Sequence, residues 1–305
     1  KYANNYAIKQ YDNFDEIDTF IEGCDFITYE FENIPFKTLS YIENKIALSP
    51  SSQINKIIQD RLTEKNYVNE INIPTVPYIE IKDIEDLKSV NTDFFPAILK
   101  TRKLGYDGKG QYMVNSSKEI PEIPKNDYIL EKKINLQQEI SIIAVRYQDG
   151  TIFTYQPIEN VHKDQILFKS YSPANSNQSI IEEAKNHAVN FAKKISYVGT
   201  FCLEFFITDK NELLLNEIAP RVHNSGHLTI ESYNVSQFES HLRSVCDLEK
   251  IKPLLRYKSE MTNILGEDIY NYRDKEFKKD EYFHDYYKKE SKIGRKMGHF
   301  TKILT

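Results

Sequence analysis

An α+β fold built around mostly antiparallel sheets is what this sequence predicts, and three observations carry the prediction. Segments with strand character dominate the middle of the chain, from "FPAILK" at 95–100 to "ELLLNEIA" at 212–219. Short turns join them, such as Gln148–Asp149–Gly150, whose Asp-Gly pair favours a hairpin. Helices are interspersed, without the steady strand–helix alternation that a doubly wound sheet requires.

Taken in order, "DNFDEIDTFIE" at 12–22 spaces Phe14, Ile17 and Ile21 along one helical face. "CDFITYEF" reads as a buried strand ended by "ENIP", and a helical piece follows near 37–43, together a βαβ remnant. A helix starts at about Ser52 and is broken before Pro74. "FPAILK" and "QYMV" are strands on either side of a glycine loop, and "YILEKKI" and "QEISIIAVRY" are two more. "GTIFTYQPIENVH" pairs with the last of these as a hairpin. Residues 179–196 are the clearest helix, with Ser179 and Glu182 as a capping box and Ile180, Ala184, Ala188, Phe191, Ala192 and Ile195 on one face. "TFCLEFFI" and "ELLLNEIA" are strands around the turn "TDKN". From about 256 the chain has little apolar content until "GHFTKILT", and no repeat or low-complexity segment occurs.

A length of 305 residues implies two or three subdomains. Apolar residues at 40% and charged residues at 28% give a soluble globular balance, with no apolar run long enough to cross a bilayer. Lys1 leads into a polar stretch and not a signal peptide, and the opening in mid-element implies a truncated N-terminus. Cys24, Cys202 and Cys246 are odd in number and far apart, which argues against a disulfide framework or a zinc site and fits a reducing cytoplasm. A net charge of −5 argues against nucleic acid as a partner, so any phosphate-bearing ligand must be met by local cations.

Three of the ten glycines, Gly105, Gly108 and Gly110, fall within "LGYDGKGQ". Glycines let backbone N–H groups approach an anion closely, and Lys100 and Lys109 are placed to neutralise phosphate oxygens. No Gly-Lys-Ser/Thr opens a helix here, so this is not a Walker A loop. A plain hairpin turn at Asp107–Gly108 accounts for the same residues.

With the turn taken as Asp209–Glu212, the register carried along both strands sets Glu204 opposite Glu217. Their flanks are apolar, and two facing, buried carboxylates repel unless a cation lies between them. Asn216 adds a hard oxygen, and hard oxygens from few residues are how magnesium is held. The competing readings are a glutamate paired with lysine or arginine, or a register slipped by one, which would turn the two side chains to opposite faces.

"APRVHNSGH" at 219–227 places Arg221, His223, Asn224, Ser225 and His227 directly after the second glutamate. Arginine suits a phosphate or carboxylate clamp, and a polar surface loop is the alternative. Zinc on His223 and His227 lacks a third soft ligand nearby in sequence. "KIGRKMGH" at 292–299 carries Lys292, Arg295, Lys296 and His299, either as a second anion clamp or as a solvated basic turn. His162 ends a strand, where a structural role is the commoner one. Glu139 opens an apolar strand as a ribose-hydroxyl acceptor or an edge residue, and Glu30 and Glu32 are the polar members of an otherwise apolar stretch.

The ordered set "TYEFENIP", "QDR", "ILKTRKLGYDGKGQ", "EISII", "ENVH", "LEFF", "NEIAPRVHNSGH", "NILGED" and "GRKMGH" resembles the 5-(carboxyamino)imidazole ribonucleotide synthases, purine-biosynthesis enzymes of the ATP-grasp superfamily. The resemblance runs from about residue 10 to the end. It implies an ATP-grasp fold with a partial N-terminal α/β (pre-ATP-grasp) domain at 1–57, an ATP-grasp domain at 58–255 with a lid at about 80–135, and a small C-terminal β-rich domain at 256–305. The glycine-rich strand–turn–helix with which that family begins is not in the sequence.

The resemblance also implies a reaction. ATP lies between two sheets, bicarbonate attacks its γ-phosphorus to give carboxyphosphate, and the amine of 5-aminoimidazole ribonucleotide takes up the carboxyl group. Lys100 and Gly105, Tyr106, Asp107, Gly108, Lys109, Gly110 and Gln111 would hold phosphates. Arg61 would be a further nucleotide contact, and the backbone of Glu131, Lys132, Lys133 and Ile134 would meet adenine. Glu139 would accept the ribose hydroxyls, with His162 and Asn216 also lining the site, and Glu204 and Glu217 would hold magnesium. Arg221, His223, Asn224, Arg295 and Lys296 would contact the ribonucleotide phosphate and bicarbonate or carboxyphosphate. A homodimer in the cytoplasm is implied as well. The rival readings are another ATP-grasp ligase working through an acyl phosphate, of the formate-dependent transformylase or biotin carboxylase type, and a non-catalytic nucleotide-binding protein.

Overall fold

Among the described residues, period-two patterning and tight turns give thirteen strands in two sheets, and every pairing between them is antiparallel. The computed structural model describes residues 3–105, 110–119, 121–122, 124 and 127–304. In chain order its elements are α1 (Phe14–Ile21), α2 (Phe36–Glu43), α3 (Ser52–Ile58), α4 (Arg61–Glu70), β1 (Tyr78–Ile81), β2 (Ala97–Thr101), β3 (Gln111–Val114), β4 (Tyr128–Lys132), β5 (Leu136–Arg146), β6 (Ile152–Thr154), β7 (Ile158–Lys163), β8 (Ile166–Ser172) and α5 (Gln178–Lys194). Then follow β9 (Gly199–Thr208), β10 (Leu213–Ala219), α6 (Thr229–Ser232), α7 (Gln237–Val245), β11 (Lys258–Leu265), α8 (Asp268–Arg273), β12 (Glu281–Asp285) and β13 (Lys296–Leu304). The smaller sheet runs β1-β4-β2-β3. The larger runs β10-β9-β5-β7-β8-β11-β13-β12, with β6 against β5, so the C-terminal strands extend the same ladder.

The main core lies between α5 and one face of the large sheet. Ile180, Ala184, Ala188, Phe191 and Ala192 pack on Ile140, Ile142, Phe201, Leu203 and Phe205. The helical 3.6 period and the strand period of two each bring one apolar face to this seam. Truncating the fully buried Phe191 to alanine would cost about 3–5 kcal/mol. A separate cluster of Ile81, Leu87, Ala97, Leu99 and Leu130 holds the small sheet.

Several local expectations are corrected. "CDFITYEF" is not a buried strand: Ile27 makes one parallel bridge to Leu48, and Phe26 and Phe31 are exposed. A segment with a single ladder contact cannot build a strand's hydrogen bonds. The helix expected from Ser52 is two helices, because Asp60 leaves helical geometry and caps α4 by accepting from Leu62 and Thr63 N–H. The cap of α5 is Asn177, which accepts from Ser179 N–H, so Ser179 already lies inside the helix.

The β9–β10 hairpin pairs Glu204 with Glu217 as expected, but by a different route. Near the turn Leu213 faces Ile207, one residue off the expected register, and a bulge between Leu215 and Glu217 brings the glutamates opposite each other. The bulge also reverses the alternation. Leu213 and Leu215 face the α5 core before it, while Ile218 does so after it, which turns Glu217 away from that core.

Candidate active site

Three residues of α4 hold this bulge. Lys65 Nζ donates to the Asn216 carbonyl at 3.3 Å, Glu64 Oε1 accepts from Ile218 N–H at 2.6 Å, and Arg61 Nη1 lies 3.1 Å from Glu217 Oε2. The start of α4 is fixed in turn by Arg102, which donates from Nε and Nη2 to the Asp60 carboxylate at 3.1 and 2.9 Å. The end of β2 and the head of α4 therefore position the carboxylate strand.

Between the sheets lies a cleft of about 920 Å³. Its small-sheet wall carries Lys100 on β2 and Glu131 on β4, 2.7 Å apart and almost fully buried, with Lys65 reaching Glu131 at 3.2 Å. Burial favours the neutral acid, but Lys100 and Lys65 take the Glu131 carboxyl down to about 2. Burial likewise pulls Lys100 below its ordinary value, against the attraction of Glu131. Glu64 has less compensation: burial drives it up to about 8, although Lys65 and Arg61 oppose the shift.

On the large-sheet wall, His223 Nε2 is 2.7 Å from Glu204 Oε1. Burial opposes both charges, yet Glu204 is held at about 2 by the His223 imidazolium, and His223 is carried up to about 10 by Cys202 and Glu204. His162 Nδ1 meets Glu139 Oε2 at 2.6 Å, which raises the imidazole above its ordinary value in spite of burial. Two nitrogens of Arg221 converge on Glu32 Oε2 at 3.0 and 2.9 Å.

Of the residues singled out from sequence, Arg61, Lys100, Gly105, Gln111, Glu131, Lys132, Lys133, Ile134, Glu139, His162, Glu204, Asn216, Glu217, Arg221, His223, Asn224 and Lys296 all line this one cleft. Gly110 does not line it; it sits at φ +73° against Thr101, where an added Cβ would come within 2.5 Å of Oγ1. Arg295 points elsewhere and donates to the Glu290 carbonyl at 3.0 Å. Tyr106, Asp107, Gly108 and Lys109 lie outside the described residues.

Three expectations change in detail. Glu217 is not buried, its side chain being 42% exposed. Each of the facing glutamates is paired with a protein cation, Glu204 with His223 and Glu217 with Arg61. Glu131, expected to offer backbone alone, also anchors Lys100 and Lys65 through its carboxylate. Glu64 and Lys65 were missed, because a polar helical pair reads as a solvated face until the partner strand is known.

The residues fit a hard cation. Asn216 Oδ1 is buried with no hydrogen-bond partner among the described residues, next in sequence to Glu217 of the facing carboxylate pair, an oxygen left for a ligand. Asn224 is in the same condition at both side-chain atoms, on the loop that carries His223.

Two antiparallel sheets around a cleft lined with lysine and paired carboxylates define an ATP-grasp protein, and the ATP-grasp domain family matches residues 66–238. The ribonucleotide synthetase preATP-grasp domain matches residues 1–59, and the phosphoribosylaminoimidazole carboxylase C-terminal domain matches 259–305. The chain is 38% identical to N5-carboxyaminoimidazole ribonucleotide synthase of Staphylococcus aureus (strain MRSA252), over 99% of this chain and 82% of that protein. It is 37% identical to the Bacillus subtilis (strain 168) enzyme of the same name, over 95% and 78%. The crystal structure of an ADP complex of N5-carboxyaminoimidazole ribonucleotide synthetase superposes with a TM-score of 0.94 at 35% identity, covering 99% of this chain and 82% of that one. The Aspergillus clavatus enzyme in complex with ADP and 5-aminoimidazole ribonucleotide superposes at 0.92 with 27% identity, covering 99% and 83%. The chain belongs to the N5-carboxyaminoimidazole ribonucleotide synthase family and is an ATP-grasp ligase.

Proposed function

We propose that the cleft carboxylates 5-aminoimidazole ribonucleotide to its 5-carboxyamino derivative, using ATP and bicarbonate, in purine biosynthesis. The observation that carries this reading is the bulged hairpin: it presents Glu204, Glu217 and the unpartnered Asn216 oxygen to a wall bearing Lys100. That is a donor set for a metal-bound polyphosphate.

In this reading Lys100 meets phosphate oxygens, and the backbone of 131–134 meets adenine beside Glu139, which takes the ribose hydroxyls. A bicarbonate oxygen forms a bond to the γ-phosphorus, ADP leaves, and carboxyphosphate results. The amine of the ribonucleotide then bonds to the carboxyl carbon, loses a proton, and phosphate departs. Arg221, His223, Asn224 and Lys296 also line the cleft, and in this reading they bind and orient these anions. Glu204, Glu217 and Asn216 would hold magnesium, which when bound neutralises charge on the transferring phosphoryl group. Arg61 and His223 offset the charge of the two facing carboxylates.

The test is phosphate release from ATP with bicarbonate. Release that depends on 5-aminoimidazole ribonucleotide supports the assignment; release indifferent to it but raised by formate or biotin overturns it. Homodimerisation belongs to the same reading and is read by light scattering. Cytoplasmic placement does too, and is read by cell fractionation; no helix among the described residues is long and apolar enough to cross a membrane.

A further inference from the structure

We propose that Cys202, Glu204 and His223 form a binding site for one thiophilic divalent cation of the zinc class, different from the all-oxygen site of Glu204, Glu217 and Asn216. One ligand atom from each of the three residues lies within 4.8 Å of the other two. Cys202 and Glu204 alternate on β9, so both point to the face away from α5. His223 arrives from the loop beyond β10 and turns Nε2 to Glu204 Oε1 at 2.7 Å. Its Nδ1 lies 2.8 Å from Ser225 Oγ and 3.3 Å from the Ser225 backbone N–H; in the metal-bound ring Nδ1–H would donate to Oγ in place of accepting from that N–H.

Tetrahedral zinc, with bonds of about 2.0–2.3 Å, sets its ligand atoms roughly 3.5 Å apart. A bound ion would open the 2.7 Å Nε2–Oε1 edge and hold the Cys202 sulfur, already within 4.8 Å of both, at that spacing. The fourth position opens on the cleft, since Glu204 and His223 both line it. The cysteine spacing in sequence gave no hint of this, because the three ligands come from two elements 19 residues apart that only the hairpin fold brings together.

The donor chemistry selects the ion. Thiolate and imidazole prefer zinc and its neighbours, whereas magnesium takes oxygen. Binding expels the thiol proton of Cys202 and the ring proton at the ligating nitrogen of His223. It also removes Glu204 from the oxygen site, so zinc antagonises magnesium-dependent turnover. The antagonism rests on the proposed function; the binding does not.

Cobalt(II) reports the site directly, in the full chain without nucleotide. The wild type should give a thiolate-to-cobalt charge-transfer band that saturates at one equivalent and is abolished by zinc. The band should vanish in C202S and survive in a C24S/C246S double variant, which removes the other two cysteines. Zinc should bind C202S at least tenfold more weakly than wild type and should slow ATP turnover of wild type alone. No band in the wild type, or an equal band in C202S, overturns the proposal. A C202S-sensitive band in a chain without carboxylation activity keeps the metal site and rejects the proposed carboxylation.

Discussion

Glu64 Oε1 accepts a 2.6 Å hydrogen bond from the backbone N–H of Ile218, across 154 residues of sequence and immediately after the bulge that aims Glu217. Replacing Glu64 with alanine leaves a buried donor unpaired and should cost about 1–3 kcal/mol. Turnover should fall together with stability, because Glu217 loses its aim. E64Q keeps an acceptor and should be milder. Glu64 is raised to about 8 in the fold, so its stabilising contribution is complete below the ordinary 4.5 and is lost as pH rises through about 8. Urea unfolding at pH 5 and pH 9 should therefore show wild type losing stability relative to E64Q across that interval.

Lys100 and Glu131 make a testable pair across β2 and β4. K100M leaves the Glu131 carboxylate buried with Lys65 alone and should destabilise by about 3 kcal/mol or more. The double variant K100M/E131L should recover only part of that stability, because the buried Lys65 loses its carboxylate partner, and it should not recover ATP binding. Glu131 sits near 2 in the fold, so its contribution is present above the ordinary 4.5 and lost as pH falls toward 2. Acid unfolding of K100M/E131L should be shallower over that range.

Glu217→Gln isolates the cation site. Its pair with Arg61 is partly exposed, so the change in stability should be under about 1 kcal/mol. Turnover should fall on the order of 100-fold, with the magnesium concentration for half-maximal rate moved upward. Steady-state kinetics at several magnesium concentrations, beside a thermal melt, makes the comparison. Full activity in E217Q would remove the glutamate pair from the mechanism.

Gly226 leaves room for the side chain that ties down the His223 loop. An added Cβ would lie 2.5 Å from Gln237 Oε1, an atom that accepts from His223 N–H at 2.9 Å while Gln237 Nε2 donates to the His223 carbonyl at 2.7 Å. Gln237 is fully buried, and moving its side chain would break both of these bonds. G226A should lower kcat at least tenfold with a smaller change in KM for ATP, measured by phosphate release.

Most of the strand content was legible because a period of two and Asp-Gly or Asx-rich turns are local signals. The β2–β3 and β9–β10 pairings follow from them, and the α5 apolar face follows from the equally local helical period of 3.6. The misses are places where a distant partner decides. Nothing within "CDFITYEF" announces that its pairing among the described residues is a single bridge from Ile27 to Leu48. Asp60 looks like an ordinary helix residue until Arg102 and two backbone amides converge on it. The cleft was legible as a set of residue types, yet its counter-ions were not. Glu32 for Arg221, Arg61 for Glu217 and Lys65 for Glu131 are contacts between elements far apart in sequence. Arg295 shows the converse, a basic residue inside a persuasive motif whose side chain faces another way.

β11 lies between β8 and β13 and is hydrogen-bonded on both sides. Cutting the chain before Lys258 would thus do more than trim an appendage. It would strip β8 of a neighbour and leave a raw edge open to pairing with other chains. Shortened versions made for crystallisation or fusion should end beyond β13, or they will be prone to aggregate whatever the state of their nucleotide cleft.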